Sequence, residues 1–570
     1  MKRRIHPGPL FLYCLLTAAA CLLVCSKSSP LYPINDWTDA NAYFSCGKGM
    51  LAGRVMYRDL YEHKGPLLYA LHALCCLVDS RTFWGVFLME TLAGALFLMA
   101  VYRTLALYGA GRAALIALPP VAVLVYASLS FQQGDSAEEL CLPLLAWSLF
   151  FLLRWLRQAY PRRMGKGLLV LNGVLCGCVL WIKFTLLGLY VPWIAGMALA
   201  HALRRDGKAA LSAVGWFALG VAAATAPWLI YFGINGAIVP WLKTYLYDNL
   251  FLYQDEPALG LPGRVKAALR AAWAWFAANW AYAAPMALGF LWLTLPRGNG
   301  TAANAAGSPE DAAPGDHAGS PEAVPAGVPA DAPQRMRTVP IPRQSGNAAS
   351  QTGAHARKHK AALRENGTAV IVSFPEKAFL WAMAGFAALG VFAGGKSYLY
   401  YGFILAAFAA LGALPLCALL DRSPVVRPAP AAALAVLCLL AAAPATLAVS
   451  PNTPDLLKPR SATMQYQFAA VTAQTPNATL LNYGFMDAGF YTACGITPSV
   501  KYFHQTNVHL QEMLDEQARY IAEGVTDYVV TRGKQPDSIA ERYELVATAD
   551  APPGFWYEHV YLYRLKSLSD

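Results

Sequence analysis

Apolar residues in this chain are gathered into blocks of roughly 17 to 25, the length that crosses the hydrocarbon core of a bilayer. Hydrophobic residues make up 56% of the 570, charged residues 14%, and the mean hydropathy is +0.37. A soluble chain normally carries about 25% charge. The candidate spans are 8–25, 82–105, 113–129, 138–154, 167–182, 185–203, 209–233, 272–295, 377–393, 402–420 and 428–449. The fold expected is an all-α polytopic membrane protein with about eleven transmembrane helices. The net charge of +11 does not indicate nucleic acid, because most basic residues sit in short loops between spans.

Those basic residues also predict orientation. Lys2, Arg3 and Arg4 precede the first span, Arg154, Arg157, Arg162, Arg163 and Lys166 follow the fourth, and Arg204, Arg205 and Lys208 follow the sixth. Positive loops stay cytoplasmic. The N-terminus is then inside the cell membrane, and the loop 26–81 and the C-terminus are outside. This count reads 167–203 as two short helices with Lys183 at the outer turn; one long tilted helix is the rival. The first span, with its basic start and Ala18-Ala19-Ala20, also fits a cleavable signal peptide, and is read as retained. Residues 66–79 are too short to cross and read as an interfacial helix with Tyr69 and His72 near the headgroups, or as a re-entrant hairpin.

The chain divides into a transmembrane region 1–296, an insert 297–376, further transmembrane helices 377–450 and a domain 451–570. The insert is rich in Ala, Pro, Gly and Ser and is expected to be a disordered cytoplasmic segment. The last part shows strand-like runs at 479–483, 527–531, 544–548 and 559–563, with a helical pattern over 509–522. It predicts a small C-terminal extracytoplasmic α/β domain. Its Asn482–Asp487 loop reads as a turn using Gly484, with a binding loop as the alternative. The twelve cysteines form no framework, and no pair has zinc-site spacing.

Chemistry concentrates in the polar loops. The first holds Asp36, Asp39, Arg58, Asp59, Glu62, His63 and Lys64. Asp39 stands at the start of an amphipathic helix, where a capping role is the competing explanation. The second holds Glu138 and Glu139, where the helix dipole already favours acids. A third, 243–256, contains Asp248 and Asp255. Glu90 lies within a span and faces either other helices or a functional cavity.

The pattern Asp39-x3-Tyr43-x3-Gly47-x5-Gly53-x3-Tyr57-x-Asp59-x3-His63-Lys64-Gly65-Pro66 resembles bacterial GT-C-fold glycosyltransferases of the RgtA/B/C/D-like and protein-mannosyltransferase-like (family 39-like) groups. Gln133-Gly134 through Glu138-Glu139-Leu140, and Gly395-Lys396-Ser397-Tyr398-Leu399-Tyr400-Tyr401, resemble later parts of the same pattern. The resemblance implies transfer of a sugar from a polyprenyl-phosphate donor to a cell-envelope glycan, lipid or protein acceptor at the outer face. It implies Asp39 as catalytic base, with Asp36 as the substitute if Asp39 is only a cap; the chain departs from many relatives in having Ala40, where they carry a second acid. Lys64 would contact the carrier phosphate. Glu138 or Glu139 would orient the acceptor or assist a divalent metal ion, whose presence stays open; no other cofactor is implied. Tyr57, Arg58, Asp59, His63, Lys396 and Tyr400 are the further substrate-binding candidates. A transporter or flippase of a lipid-linked intermediate is the alternative, which calls for charges within the spans and for paired repeats; no internal repeat is evident.

Overall fold

The computed structural model describes residues 6–253, 260–295, 372–423, 426–508, 510–533, 535–536, 538–552 and 557–566. Asp255 and residues 297–371 of the expected insert lie outside the described residues. The insert's expected end at 376 needs correction. Ser373 accepts a hydrogen bond from Glu376 N and caps a helix that runs Phe374–Phe392.

The chain is mostly helical. Among the described residues, nine helices of more than five residues lead to the third polar segment: α1 (Pro7–Cys25), α2 (Thr38–Leu51), α3 (Pro66–Val78), α4 (Trp84–Leu107), α5 (Ala113–Tyr126), α6 (Ala137–Gln158), α7 (Lys166–Lys183), α8 (Tyr190–Ala202) and α9 (Gly207–Ile234). Seven helical stretches among the described residues are long and apolar enough to cross a membrane, against eleven expected spans, and one of the seven, the 37-residue Lys166–Ala202, covers two of those eleven. The difference has local causes. The 113–129 block is helical only over the 14 residues of α5, and 272–295 is broken at Asn279 into Leu261–Ala278 and Trp280–Thr294. The helix α6 is largely buried, whereas α9 leaves Leu211, Ile230 and Ile234 exposed. A helix apolar all round with a bare outer face is suited to lipid and not to water.

The 167–203 run folds as two helices. Lys183, at the end of α7, reaches Glu138 at the start of α6, 2.5 Å away. After a 3₁₀ segment, Phe184–Leu189, α8 returns along α6: Trp193 Nε1 donates to Ser148 O at 3.0 Å, and His201 packs on Trp155. Both α7 and α8 pack on α9. The α7–α9 contact depends on small residues spaced four apart, Gly173 and Gly177 against Gly220 and Ala224. A Cβ on Gly173 would stand 2.0 Å from Phe217 O, and one on Gly220 would stand 2.1 Å from Val170 O. Backbones this close are how apolar helices gain dispersion contact where lipid offers no hydrophobic contrast.

The C-terminal domain carries a four-stranded mixed sheet of β1 (Leu480–Asn482), β2 (Tyr528–Arg532), β3 (Tyr543–Asp550) and β4 (His559–Leu565), in the order β1-β2-β4-β3. The β1–β2 pair is parallel, with helix Gln511–Glu523 in the connection, and the other pairs are antiparallel. All twelve cysteines are free.

The Gly173 contact gives a direct test. Gly173→Val should destabilise the purified protein by about 1–3 kcal/mol or more through overpacking against backbone. A lowered midpoint in detergent thermal unfolding checks it, with Gly215→Ala, where a Cβ meets nothing within 4 Å, as the neutral control.

Candidate active site

Three irregular helical segments converge at one end of the bundle: the 3₁₀ segment Phe184–Leu189, the π-wound Lys243–Leu252 and the 3₁₀ segment Leu399–Phe408. Breaks of this kind inside apolar helices commonly accompany functional cavities. Here they border a cavity of about 520 Å³ whose charged lining residues are Lys64, Glu138, Lys183, Arg264 and Lys396. Tyr245, Tyr253, Tyr398, Tyr401 and His63, with Thr185, Asn249 and Ser397, supply the other polar groups of the described wall. Among the described lining residues four cations face one carboxylate, which gives that part of the wall an excess of positive charge.

Each cation is held. Lys183 Nζ pairs with Glu138 Oε1 and lies 3.8 Å above the Tyr401 ring, and Lys396 Nζ lies 3.5 Å above the Tyr253 ring. The other Glu138 oxygen is buried without a protein partner. Lys64 Nζ is 3.0 Å from His63 Nε2. An ammonium only donates, so His63 Nε2 accepts and the imidazole proton sits on Nδ1, 2.9 Å from Glu62 Oε1 in an off-line contact. Glu62 Oε2 accepts from Lys64 N and from the Tyr69 hydroxyl. Burial works against the Lys64 ammonium, but Asp39 and Glu62 outweigh it and raise its pKa. Burial lowers the His63 pKa, with Lys64 adding to it against the pull of Glu62.

The loop reaches this position by docking on the end of α7. Gly65 N donates to Ile182 O at 3.0 Å, and a Cβ on Gly65 would stand 2.0 Å from Trp181 O. Only glycine allows that approach. The π segment grips the same loop: Asn249 Nδ2 donates to His63 O at 2.6 Å, and the Tyr61 hydroxyl donates to Asp248 at 3.0 Å.

Asp39 lies in the first turn of α2 and makes no capping bond. Its Oδ2 accepts from the hydroxyls of Tyr43 at 3.0 Å and Tyr400 at 3.3 Å. Asp39 and Tyr400 stand behind the cavity wall that Tyr398 and Tyr401 form. Asp36 is engaged elsewhere, in a pair with Lys27, which also binds Asp455 of the C-terminal domain at 2.6 Å. Glu139 turns into the bundle and accepts from Asp135 N at 2.9 Å. It belongs to a buried network in which His72 Nε2 lies 3.0 Å from both Asp135 oxygens and Ser26 donates to Glu90. Tyr69 and His72 are therefore not near headgroups: both are fully buried, because their polar ends meet partners inside the protein.

Of the substrate-binding candidates, His63, Lys64 and Lys396 line the cavity. Tyr57, Arg58 and Asp59 do not. Tyr57, at a left-handed φ of 68°, donates to Lys64 O and braces the loop, while Arg58 binds Asp59 and Asn235 O at the end of α9. Sequence reasoning missed Lys183 and Arg264 as cavity residues and Glu62 as the group that orients Lys64. The unbroken Glu62-His63-Lys64 run was the available signal for the last. Among the described residues, no group of three or more His, Cys, Asp or Glu side chains is placed to hold a metal ion.

The Asn482–Asp487 loop is a structural turn. Gly484 has φ 78°, Asn482 donates to Asp487 Oδ1 at 2.7 Å, and the same oxygen accepts from Phe490 N at 2.9 Å.

No protein-family model and no curated protein matches the chain. Among solved structures it is similar to ArnT from Cupriavidus metallidurans bound to undecaprenyl phosphate, at 12% identity and TM-score 0.49, covering 96% of this chain and 97% of that one. It is also similar to the archaeal oligosaccharyltransferase AglB from Archaeoglobus fulgidus in complex with an inhibitory peptide and a dolichol-phosphate, at 13% identity and TM-score 0.41, covering 92% and 69%. At these levels of identity and overlap, the functional reading rests on this chain's own residues.

His504 of the C-terminal domain provides a pH test of the folded site. It is fully buried, and burial lowers its pKa from 6.5 to about 4. The unfolded chain then binds the proton that the native state refuses, so stability is present above pH 6.5 and is lost as pH falls towards 4. The loss is up to about 3 kcal/mol for a shift of this size. Denaturant titrations across that window should show a shallower decline for His504→Gln than for wild type.

Proposed function

We propose that this protein is a GT-C-type integral-membrane glycosyltransferase that takes a sugar from a polyprenyl-phosphate donor and transfers it to a cell-envelope acceptor at the outer face. The observation that carries this reading is the cavity with Lys64, Lys183, Lys396 and Arg264 at one end of an apolar bundle. An anionic headgroup on an apolar chain matches that combination. Four cations meet the phosphate, and the prenyl tail has an apolar track in Leu261, Val265, Leu269 and Trp273. These are exposed at four-residue spacing on the helix that presents Arg264.

Attack on the anomeric carbon builds oxocarbenium character there and negative charge on the departing phosphate. Fixed ammonium and guanidinium groups stabilise that charge without reorganising. Asp39 is the base in this reading. Its Oδ2 is held by two tyrosine hydroxyls, and because Asp39 stands behind the wall that Tyr398 and Tyr401 form, those rings must move aside for Oδ1 to take the acceptor's proton. Direct displacement inverts the anomeric centre. Glu138 keeps Lys183 in place and offers its second oxygen to a sugar or acceptor hydroxyl.

Sugar transfer by the purified protein from a panel of polyprenyl-phosphate sugars tests the reading. Asp39→Asn should lose at least about 100-fold in turnover, the low end for general-base catalysis, with donor binding retained. Lys64→Met should weaken donor binding instead. Donor binding without turnover by the wild type on any acceptor offered would favour a lipid transporter.

A further inference from the structure

We propose that the loops joining α6 to α7 and α8 to α9 form a binding site for the headgroup of an anionic phospholipid, at the end of α7 away from the cavity. The inference is independent of the donor reading. The helix α7 runs from Lys166 at these loops to Lys183 on the cavity wall, about 27 Å at 1.5 Å per residue.

An ion pair makes the two loops one surface. Arg163 Nη2 donates to Asp206 Oδ1 at 2.8 Å and to Oδ2 at 2.9 Å, so residues 159–165 and 203–206 are clasped together. Behind the clasp, Trp155 Nε1 donates to Arg162 O at 2.8 Å, and the His201 ring packs on Trp155 at 5.9 Å. Asp206 is fully engaged, because its Oδ1 also accepts from Ala209 N at 3.0 Å and caps α9.

Around the clasp stand Arg162, Lys166, Arg204, Arg205 and Lys208, all exposed. None of the five forms an ion pair with a carboxylate among the described residues. Asp206 is the one acid in the stretches 159–168 and 199–210, whereas soluble surfaces intersperse the two signs. Like charges gathered in this way repel one another, and an arriving anion relieves the repulsion.

The surroundings say which anion. The Lys166 ammonium lies 5.0 Å from the centre of the Trp216 ring on α9, a cation and an indole together at the end of an apolar helix, as in the headgroup layer of a bilayer. Cβ atoms at Gly165, Gly167, Gly207 and Gly215 would meet nothing within 4 Å, so the backbone beside Lys166, Lys208 and Trp216 is open to an approaching group. Within about a turn the character changes. Leu199 and Leu203 at the end of α8, and Leu211 and Val214 near the start of α9, are exposed, Leu203 and Leu211 to 76%. Phosphate carried on acyl chains matches both parts, whereas free phosphate or nucleic acid would leave the leucines uncovered. Cations contributed from two loops suit a headgroup with two phosphates, as in a diphosphatidyl lipid.

The test uses the full-length protein in detergent and measures bound lipid by native mass spectrometry. Tetraoleoyl cardiolipin is the probe, and dioleoyl phosphatidylcholine is the zwitterionic comparison. Cardiolipin should bind at least about tenfold more tightly. The triple variant Lys166→Gln, Arg205→Gln, Lys208→Gln should lose about 100-fold in cardiolipin affinity, roughly fivefold per cation, with phosphatidylcholine unchanged. A second triple, Lys501→Gln, Arg519→Gln, Lys566→Gln, removes the same charge from the C-terminal domain and should stay within about twofold of wild type, because distant charges are screened. Equal losses in the two triples would reduce the effect to net charge and overturn the proposal, as would equal affinity for the two lipids. Inorganic phosphate in molar excess should not displace the lipid; displacement overturns the lipid assignment in favour of a free-anion site. If the first triple does not fold, Lys166→Gln and Lys208→Gln carry the test singly, each expected to lose about fivefold. No loss in either overturns it.

Discussion

The docking of Gly65 on the last turn of α7 is the contact on which the rest of the site depends. A loop amide bonds Ile182 O, and the missing Cβ lets two backbones meet at Trp181. That single seat brings Lys64, from the first polar loop, onto the same cavity wall as Lys183, from the end of a membrane helix. Two like charges converging at the edge of hydrocarbon are unfavourable by themselves. At an effective dielectric near 20, unit charges about 4 Å apart interact by about 4 kcal/mol. Glu138, Glu62 and Asp39 offset the repulsion within the protein, and an arriving phosphate would offset the remainder.

The same economy explains the aromatic groups. Lys183 and Lys396 each lie over a tyrosine face, a contact that holds a cation without neutralising it. A cavity built only from ion pairs would have no charge left for a ligand. One built only from bare cations would not fold around them. Tyrosine faces, one glutamate and one neutral imidazole keep the ammonium groups charged and oriented.

How far the residues could be read in advance varied with the kind of signal. The four strands and the intervening helix of the C-terminal domain were placed to within a few residues, because side-chain period and turn residues are local properties. The reversal at Lys183 was also legible, from one charge inside an apolar run. The span count was less so, since α5 stops at Tyr126 and a break at Asn279 divides the 272–295 block, ends that hydropathy alone does not mark. Arg58 and Asp59 were indistinguishable from site residues by type and spacing, yet they satisfy each other at the surface.

By itself, the sequence determined that this chain is an apolar helical bundle with one small α/β domain, and that its chemistry lies in the polar loops, because block length and periodicity act over neighbouring residues. It also supplied Lys64 and Asp39 as a cation and an acid worth attention. Only the tertiary structure decided which charges share a cavity. Glu62 turned inward to hold His63 and Lys64, Asp36 was taken by Lys27, and Lys183 and Arg264 came to the wall from helices far apart in the chain. Those outcomes depend on close approaches between distant backbones, on whether a glycine leaves room for them, and on which buried charge finds a partner first.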